Sequence, residues 1–322
     1  MNIENDNIQE AFAWMLAHKT DNGLTWQSIA NASGIKLGTL TPFMGQKYSG
    51  NKQIVADNIF KYRESLKHQA ELSDEKERAG IGGAPLFIQM PTARRIRTLM
   101  IAAQGGEMTV VATGPGTCKT MAAQNYAQNN VNVWLVTIKR TSRTLPGMVA
   151  ETLKVVSGRP ARGSTRQMVA QLIDLIRDTR GLLIFDEANH LKFEALEEIR
   201  GWYDDTSIGV CLLGNEELIG TIRHGSAGAN RDAFRRLSSR IAHTYIRNMP
   251  QAQDIELYLD AWGIEARDQR KYLLARGLAA GSGGLREIRQ IINHASMLAM
   301  EQEIDLSLEE LRQAHFSRSG RD

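Results

Sequence analysis

Across residues 87–249 short apolar runs alternate with longer amphipathic stretches. The runs are Met108–Ala112, Val133–Ile138, Leu182–Phe185, Val210–Leu213 and Thr244–Ile246. Each is short and apolar, as a strand buried on both faces must be, and the stretches between them are long enough for crossover helices. The pattern predicts an α/β core around a parallel sheet. From 250 to 322 only the helical period continues, so a helical subdomain follows the finished sheet. Upstream, residues 1–68 read as short helices with one tight turn. Residues 69–86 carry ELSDEKERAGIGGAP, charged and then Gly-rich, which suits a linker. No internal repeat or low-complexity tract interrupts this order.

A chain of 322 residues suits two or three modules, and its 42% hydrophobic content is ample for packed cores. Mean hydropathy is −0.32, and no apolar run approaches the ~20 residues of a membrane span. The start, MNIENDNIQEAF, is polar and acidic, without the basic segment and apolar stretch of a signal peptide. Cys118 and Cys211 form neither a disulfide framework nor a metal cluster. A soluble cytoplasmic protein, without membrane contact, is the expectation. Net charge is only +3, but its distribution is uneven. Between Lys139 and Arg166, the chain places Lys139, Arg140, Arg143, Lys154, Arg159, Arg162 and Arg166 against the single acid Glu151. Such a stretch suits either a nucleic-acid footprint or a solvated helical face.

The first apolar run leads into Thr113-Gly114-Pro115-Gly116-Thr117-Cys118-Lys119-Thr120, followed by the helix-forming MAAQNYAQ. Strand, Gly-rich loop, Lys-Thr and helix make up the P-loop arrangement. Backbone N–H groups of the loop Gly114 to Cys118, Pro115 excepted, and of the helix start at Lys119, Thr120 and Met121 would cradle phosphates. Lys119 would reach the β and γ phosphates of ATP, and Thr120 would ligate Mg²⁺. Thr113 and Cys118 stand where the G-x-x-x-x-G-K-[ST] pattern has glycines, and Cys118 is strained there if its φ is positive. The run Leu182–Phe185 delivers Asp186 and Glu187 at its carboxyl end, the former suited to the metal and the latter to a general base. Val210–Leu213 ends in Gly214-Asn215, where Asn215 would orient the attacking water. Arg235, Arg236 and Arg240 precede the last strand, and Arg240 suits an arginine finger reaching a neighbouring subunit's γ-phosphate. Arg286 opens a helix further on and suits a contact to the same phosphates within its own chain.

At the N-terminus, TWQSIANASGI resembles the front half of a helix-turn-helix. Thr25 would cap a helix, Ile29 would point inward, Ala30 is small at the crossing, and Gly34 makes the turn. Leu37 to Met44 would then be the recognition helix, offering Lys36, Thr39, Thr41 and Gln46 to DNA. Pro42 fits only if that helix starts near Thr39, placing it in the first turn. A plain three-helix docking domain is the other reading of the same residues.

WQSIANASGI with QKYSG, NNVNVWLVTI, LLIFDEANHL, LLGN and RRLSSRIA together resemble the Mu B-type target-capture ATPases of DNA transposition. That resemblance runs almost end to end and implies an N-terminal helix-turn-helix, an AAA+ core and a small helical lid. It implies ATP binding, polymerisation as a helical filament on duplex DNA, delivery of that DNA to a DDE transposase, and hydrolysis that releases the filament. By position, Lys119, Thr120, Asp186, Glu187, Asn215 and Arg240 fall on the family's nucleotide machinery, and Phe87 to Thr92 on the segment flanking adenine. The basic stretch falls on the part of the core that faces DNA. The family's glycines are Thr113 and Cys118 here, which implies altered nucleotide affinity or turnover and a site open to thiol reagents. Two rival readings use the same motifs: an ATP-switched helix-turn-helix transcription regulator, and a replication initiator or helicase loader.

Overall fold

Four helices make up the N-terminal part: α1 (Ile3–Asp21), α2 (Trp26–Ser33), α3 (Leu37–Met44) and α4 (Lys52–Arg78). The Thr25 hydroxyl accepts the Ser28 amide at 3.1 Å, and the Ser28 hydroxyl accepts the Thr25 amide at 3.0 Å. This reciprocal box starts α2. Gly34, at φ +71°, ends it in the left-handed region, and Lys36 leads into α3. Ile29, Ala30, Leu40, Phe43, Val55 and Ile59 bury against Ala11 and Met15 in one core. One expectation needs correction. Helix α3 begins at Leu37, so Pro42 lies in its second turn, where it deprives the Gly38 carbonyl of its helical donor. Helix α4 continues to Arg78, through ten of the residues read as linker, because Glu, Leu, Lys and Arg are good helix formers whatever their charge.

This computed structural model describes residues 3–78, 87–224 and 231–319. The chain divides into two compact units, Met1–Gly80 and Ile81–Asp322. Residues 79–86 of the expected linker lie outside the described residues.

In the second unit the apolar runs form β1 (Met108–Thr113), β2 (Val133–Thr137), β3 (Leu182–Asp186), β4 (Gly209–Gly214) and β5 (Ile241–Arg247). They pair in parallel in the order β2-β3-β4-β1-β5. Helices α5 (Pro91–Gln104), α6 (Lys119–Asn129), α7 (Leu145–Ser157), α8 (Thr165–Ile176), α9 (Phe193–Thr206), α10 (Glu216–His224) and α11 (Arg231–Arg240) connect or flank the strands. After β5 come α12 (Ala252–Ala261), α13 (Arg267–Gly277), α14 (Leu285–Glu301) and α15 (Leu308–Ser319).

Alternation along the strands builds two cores. Leu182, Ile184, Cys211 and Leu213 face one side, with α5, α6 and the C-terminal helices. Leu183, Phe185, Val210 and Leu212 face the other, with α7, α8 and α9. Both faces of β1, β3 and β4 are therefore covered. β5 departs from the expectation of full burial. It is an edge strand, paired to β1 alone, and most of its side chains are exposed. Among the described residues, no helix is long and apolar enough to cross a membrane.

Candidate nucleotide-binding site

The sheet order places the chemistry. β4 lies between β1 and β3. Asn215 therefore stands at the carboxyl edge between the loop after β1 and the acidic pair after β3.

Two backbone close approaches shape the loop after β1. A Cβ on Gly114 would lie 1.9 Å from the Asn248 carbonyl oxygen, and one on Gly116 would lie 1.9 Å from that of Gly283. Neither position accepts a side chain. The Gly116 carbonyl accepts the Leu285 amide at 3.0 Å, which ties the loop to the start of α14. Cys118 has φ +60°, so the strain expected of a non-glycine residue there is present. Thr113 behaves differently. It ends β1 with ordinary backbone, is fully buried, and accepts the Thr117 hydroxyl at 2.8 Å.

A cavity of about 270 Å³ opens over this loop. Gly116, Thr117, Cys118, Lys119, Thr120 and Met121 line it together with Arg286 and Arg289. Phe87, Ile88, Met90, Tyr258 and Leu285 line the rest. The first N–H groups of α6 have no intrahelical acceptor and are the donors a phosphate takes up. Lys119 Nζ meanwhile donates to the Thr113 carbonyl at 3.5 Å. Burial pushes the Cys118 thiol up to about 12, with nearby Asp254 adding to the shift.

Thr120 donates its hydroxyl to Asp186 Oδ2 at 2.8 Å, and Asp186 Oδ1 accepts the Glu187 amide at 3.0 Å. The pair thus supplies a hydroxyl and one carboxylate. That hard-oxygen set fits Mg²⁺, which takes few protein ligands and completes its shell with phosphate and water. Among the described residues no group of His, Cys, Asp and Glu forms a protein-only metal cage.

Other expected residues lie outside the cavity. Thr92 is fully buried and gives both its amide and its hydroxyl to Asp254, so it holds the strip before α5 rather than facing the cavity. Asn215 Oδ1 accepts the Glu217 amide at 3.0 Å and so caps α10. Glu187, in the left-handed region at φ +56°, follows Asp186 without lining the cavity. Arg240 Nε donates to Asp204 Oδ1 on α9 at 3.2 Å, away from its own chain's loop. Tyr258 and Arg289 escaped sequence reasoning. Arg289 was detectable, one helical turn beyond Arg286 on the same face. Tyr258 was not, because nothing local sets the fold-back of α12.

Lys139, Arg140, Arg143, Lys154, Arg159, Arg162 and Arg166 are all exposed. Lys139, Arg140 and Arg143 precede α7; Arg159 and Arg162 occupy the turn after it. Lys154 pairs with Glu151 at 3.3 Å. Lys36 precedes α3, exposed, and Thr39 is half-buried in its first turn.

A family model described as "AAA domain" matches residues 102–222, and one described as "Mu B transposition protein, C terminal" matches residues 239–316. The chain is 30% identical to "ATP-dependent target DNA activator B" of Escherichia phage Mu over 295 residues, covering 91% of this chain and 88% of that protein. It is 31% identical to "Mu-like prophage FluMu DNA transposition protein B" of Haemophilus influenzae, covering 85% and 92%. Among solved structures, Drosophila ORC bound to DNA matches with TM-score 0.54 at 17% identity, over 78% of this chain and 66% of that one. The Aeropyrum pernix ORC2 protein in ADPNP-ADP complexes matches with TM-score 0.51 at 15% identity, over 70% and 65%. At such identity these two speak for an AAA-type fold alone. The near full-length relatives and the match across the C-terminal helices speak for more: the chain belongs to the Mu B family of DNA transposition proteins.

Proposed function

We propose that this chain is an ATP-dependent activator of DNA transposition that binds target duplex DNA without sequence preference, assembles along it, and presents it to a DDE transposase. The observation that carries this reading is the P-loop cradle beside the Thr120–Asp186 pair, in a chain whose relative is named for ATP-dependent activation of target DNA. ATP would lie with its phosphates on residues 114–121 and its base toward Phe87, Met90 and Tyr258. Lys119 swings from the Thr113 carbonyl to the β and γ phosphates, and Arg286 meets them from α14. Mg²⁺, held by Thr120 and Asp186, offsets phosphate charge when bound. Glu187 takes the proton of the attacking water, which Asn215 orients after giving up its cap on α10.

Arg240 is paired on its own chain's surface, which supports a role toward a neighbouring subunit's nucleotide. ATP then acts as glue between subunits, and hydrolysis releases them. Residues 250–322 serve as the lid, and 87–249 as the ATPase core. Arg140, Arg143, Arg159 and Arg162 supply phosphate contacts to DNA, and Lys36 and Thr39 offer a second contact from the N-terminal unit. Electron microscopy of the chain with duplex DNA and a slowly hydrolysed ATP analogue tests the reading. Regular filaments are expected, and their loss in Lys119→Ala; isolated monomers with the wild type, or unchanged filaments in the variant, would overturn it.

A further inference from the structure

Asp254 is fully buried, yet among the described residues no basic side chain pairs with it. Its carboxylate is held by other means. Oδ1 accepts the Thr92 amide at 2.9 Å, and Oδ2 accepts the Gln251 amide at 2.8 Å. Oδ2 also accepts the Thr92 hydroxyl, which in turn accepts Gln251 Nε2 at 3.4 Å. Thr92 lies in the first turn of α5, and Gln251 precedes α12. One carboxylate thus caps two helices at once. Each contributes the positive end of its dipole, which is how a buried acid can stand without a cation.

The two helices carry apolar lining of the cavity, α12 within its own length and α5 through the strip that precedes it. Phe87, Ile88 and Met90 lead directly into α5. Tyr258 lies one turn beyond Asp254 on α12, on the same face. Lys119, Thr120 and Arg286 are the lining residues suited to phosphate. We propose that Asp254 is a positioning residue that fixes the separation of the two nucleobase walls, and through them the affinity for the base of a nucleoside triphosphate. It touches no part of the nucleotide itself. Asp254 spends its hydrogen bonds on Thr92 and Gln251, and none goes to the P-loop residues 114–121 that follow β1 and open α6. This inference rests on the nucleotide-site reading above.

Inorganic triphosphate separates base from phosphate contacts, because it has phosphates and no base. Competition against a fluorescent ATP analogue gives affinities for ATP, CTP and inorganic triphosphate in the full-length chain. Asp254→Asn replaces one acceptor oxygen by a donor facing another amide; Thr92→Val keeps the backbone bond and removes only the hydroxyl. For Asp254→Asn we expect ATP to bind about tenfold more weakly, with a narrowed preference for ATP over CTP, for Thr92→Val a few-fold loss, and for inorganic triphosphate a change within about twofold in both. Equal losses for ATP and inorganic triphosphate would make Asp254 a general structural residue and overturn the proposal, as would unchanged ATP affinity in both variants. Where Asp254→Asn fails to fold, the Thr92→Val result decides. A wild type that binds no ATP overturns the nucleotide-site reading and this inference with it. Wild-type binding with indifferent variants overturns this inference alone.

Discussion

Thr113 and Cys118 replace the two expected P-loop glycines, but the backbone distinguishes them. Cys118 occupies the left-handed region, which costs a residue with a Cβ roughly 1–2 kcal/mol. Cys118→Gly should therefore raise stability by about 1 kcal/mol in thermal unfolding and leave ATP binding equal or tighter. Lost binding would give the cysteine a role beyond geometry. Thr113 is in regular strand, fully buried, and bonded to Thr117. Thr113→Gly should destabilise by about 1–2 kcal/mol, through added chain entropy and a lost hydrogen bond. The motif alone flags both positions as departures; only φ and burial separate them. Partial burial bears on the expected thiol sensitivity of Cys118, which lines the cavity. With its pKa pushed up to about 12, the Cys118 thiol is protonated at neutral pH, and thiolate is the reactive form. Iodoacetamide should modify it far more slowly than free cysteine at pH 7.5, read by mass spectrometry, with the rate climbing only toward strongly alkaline pH. Fast labelling at neutral pH would mean that the thiol is not held protonated there.

Among the elements, those whose signal is local were readable and those set by packing were not. β1, β3 and β4 match their apolar runs because burial on both faces leaves a continuous hydrophobic signature. The Thr25 box and the Gly34 turn are visible because capping chemistry acts within a few residues. β5 was found as a strand but its burial was misread, since an edge position is a property of the sheet and not of the strand's own residues. The charged half of the segment read as linker is helical, because charge does not end a helix, and α4 runs on to Arg78. The contact between the P-loop and the start of α14 was invisible in the sequence, although both segments are Gly-rich. There the Gly116 carbonyl bonds the Leu285 amide, and the Gly283 carbonyl fills the space a Cβ would need. Gly116→Ala has no flexible neighbour to displace, only backbone, and its φ of +63° disfavours alanine as well. It should lower stability by about 2 kcal/mol or more and abolish ATP binding, measured by thermal unfolding and nucleotide titration. Wild-type behaviour would mean that the loop and α14 separate at little cost.

For the whole molecule, the one-sided charge between Lys139 and Arg166 was legible in the sequence, but its arrangement was not. Helix α7 is 13 residues long, so its ends are about 20 Å apart. Arg140 and Arg143 sit at one end, and Arg159 and Arg162 at the other. The stretch is thus two cationic points separated by roughly the width of a duplex rather than one patch, and none of these four arginines forms an ion pair with any described residue. Helix α3 makes a contrasting surface. It contains no charged side chain, and Lys36 beside it is the one cation among the residues singled out there. Phosphate contacts are counted by salt dependence, since each neutralised phosphate contributes about 0.9 to the slope of log K against log salt. Replacing Arg159 and Arg162 together with alanine should reduce that slope by about 2, by similar amounts for unrelated DNA sequences. Thermal stability should change by less than about 0.5 kcal/mol, because both side chains are exposed and unpaired. Lys36→Ala should alter the slope by at most about 1. If instead Lys36→Ala removes most of the salt dependence and the double substitution removes none, DNA is held by the N-terminal unit, and the cations flanking α7 are a solvated face.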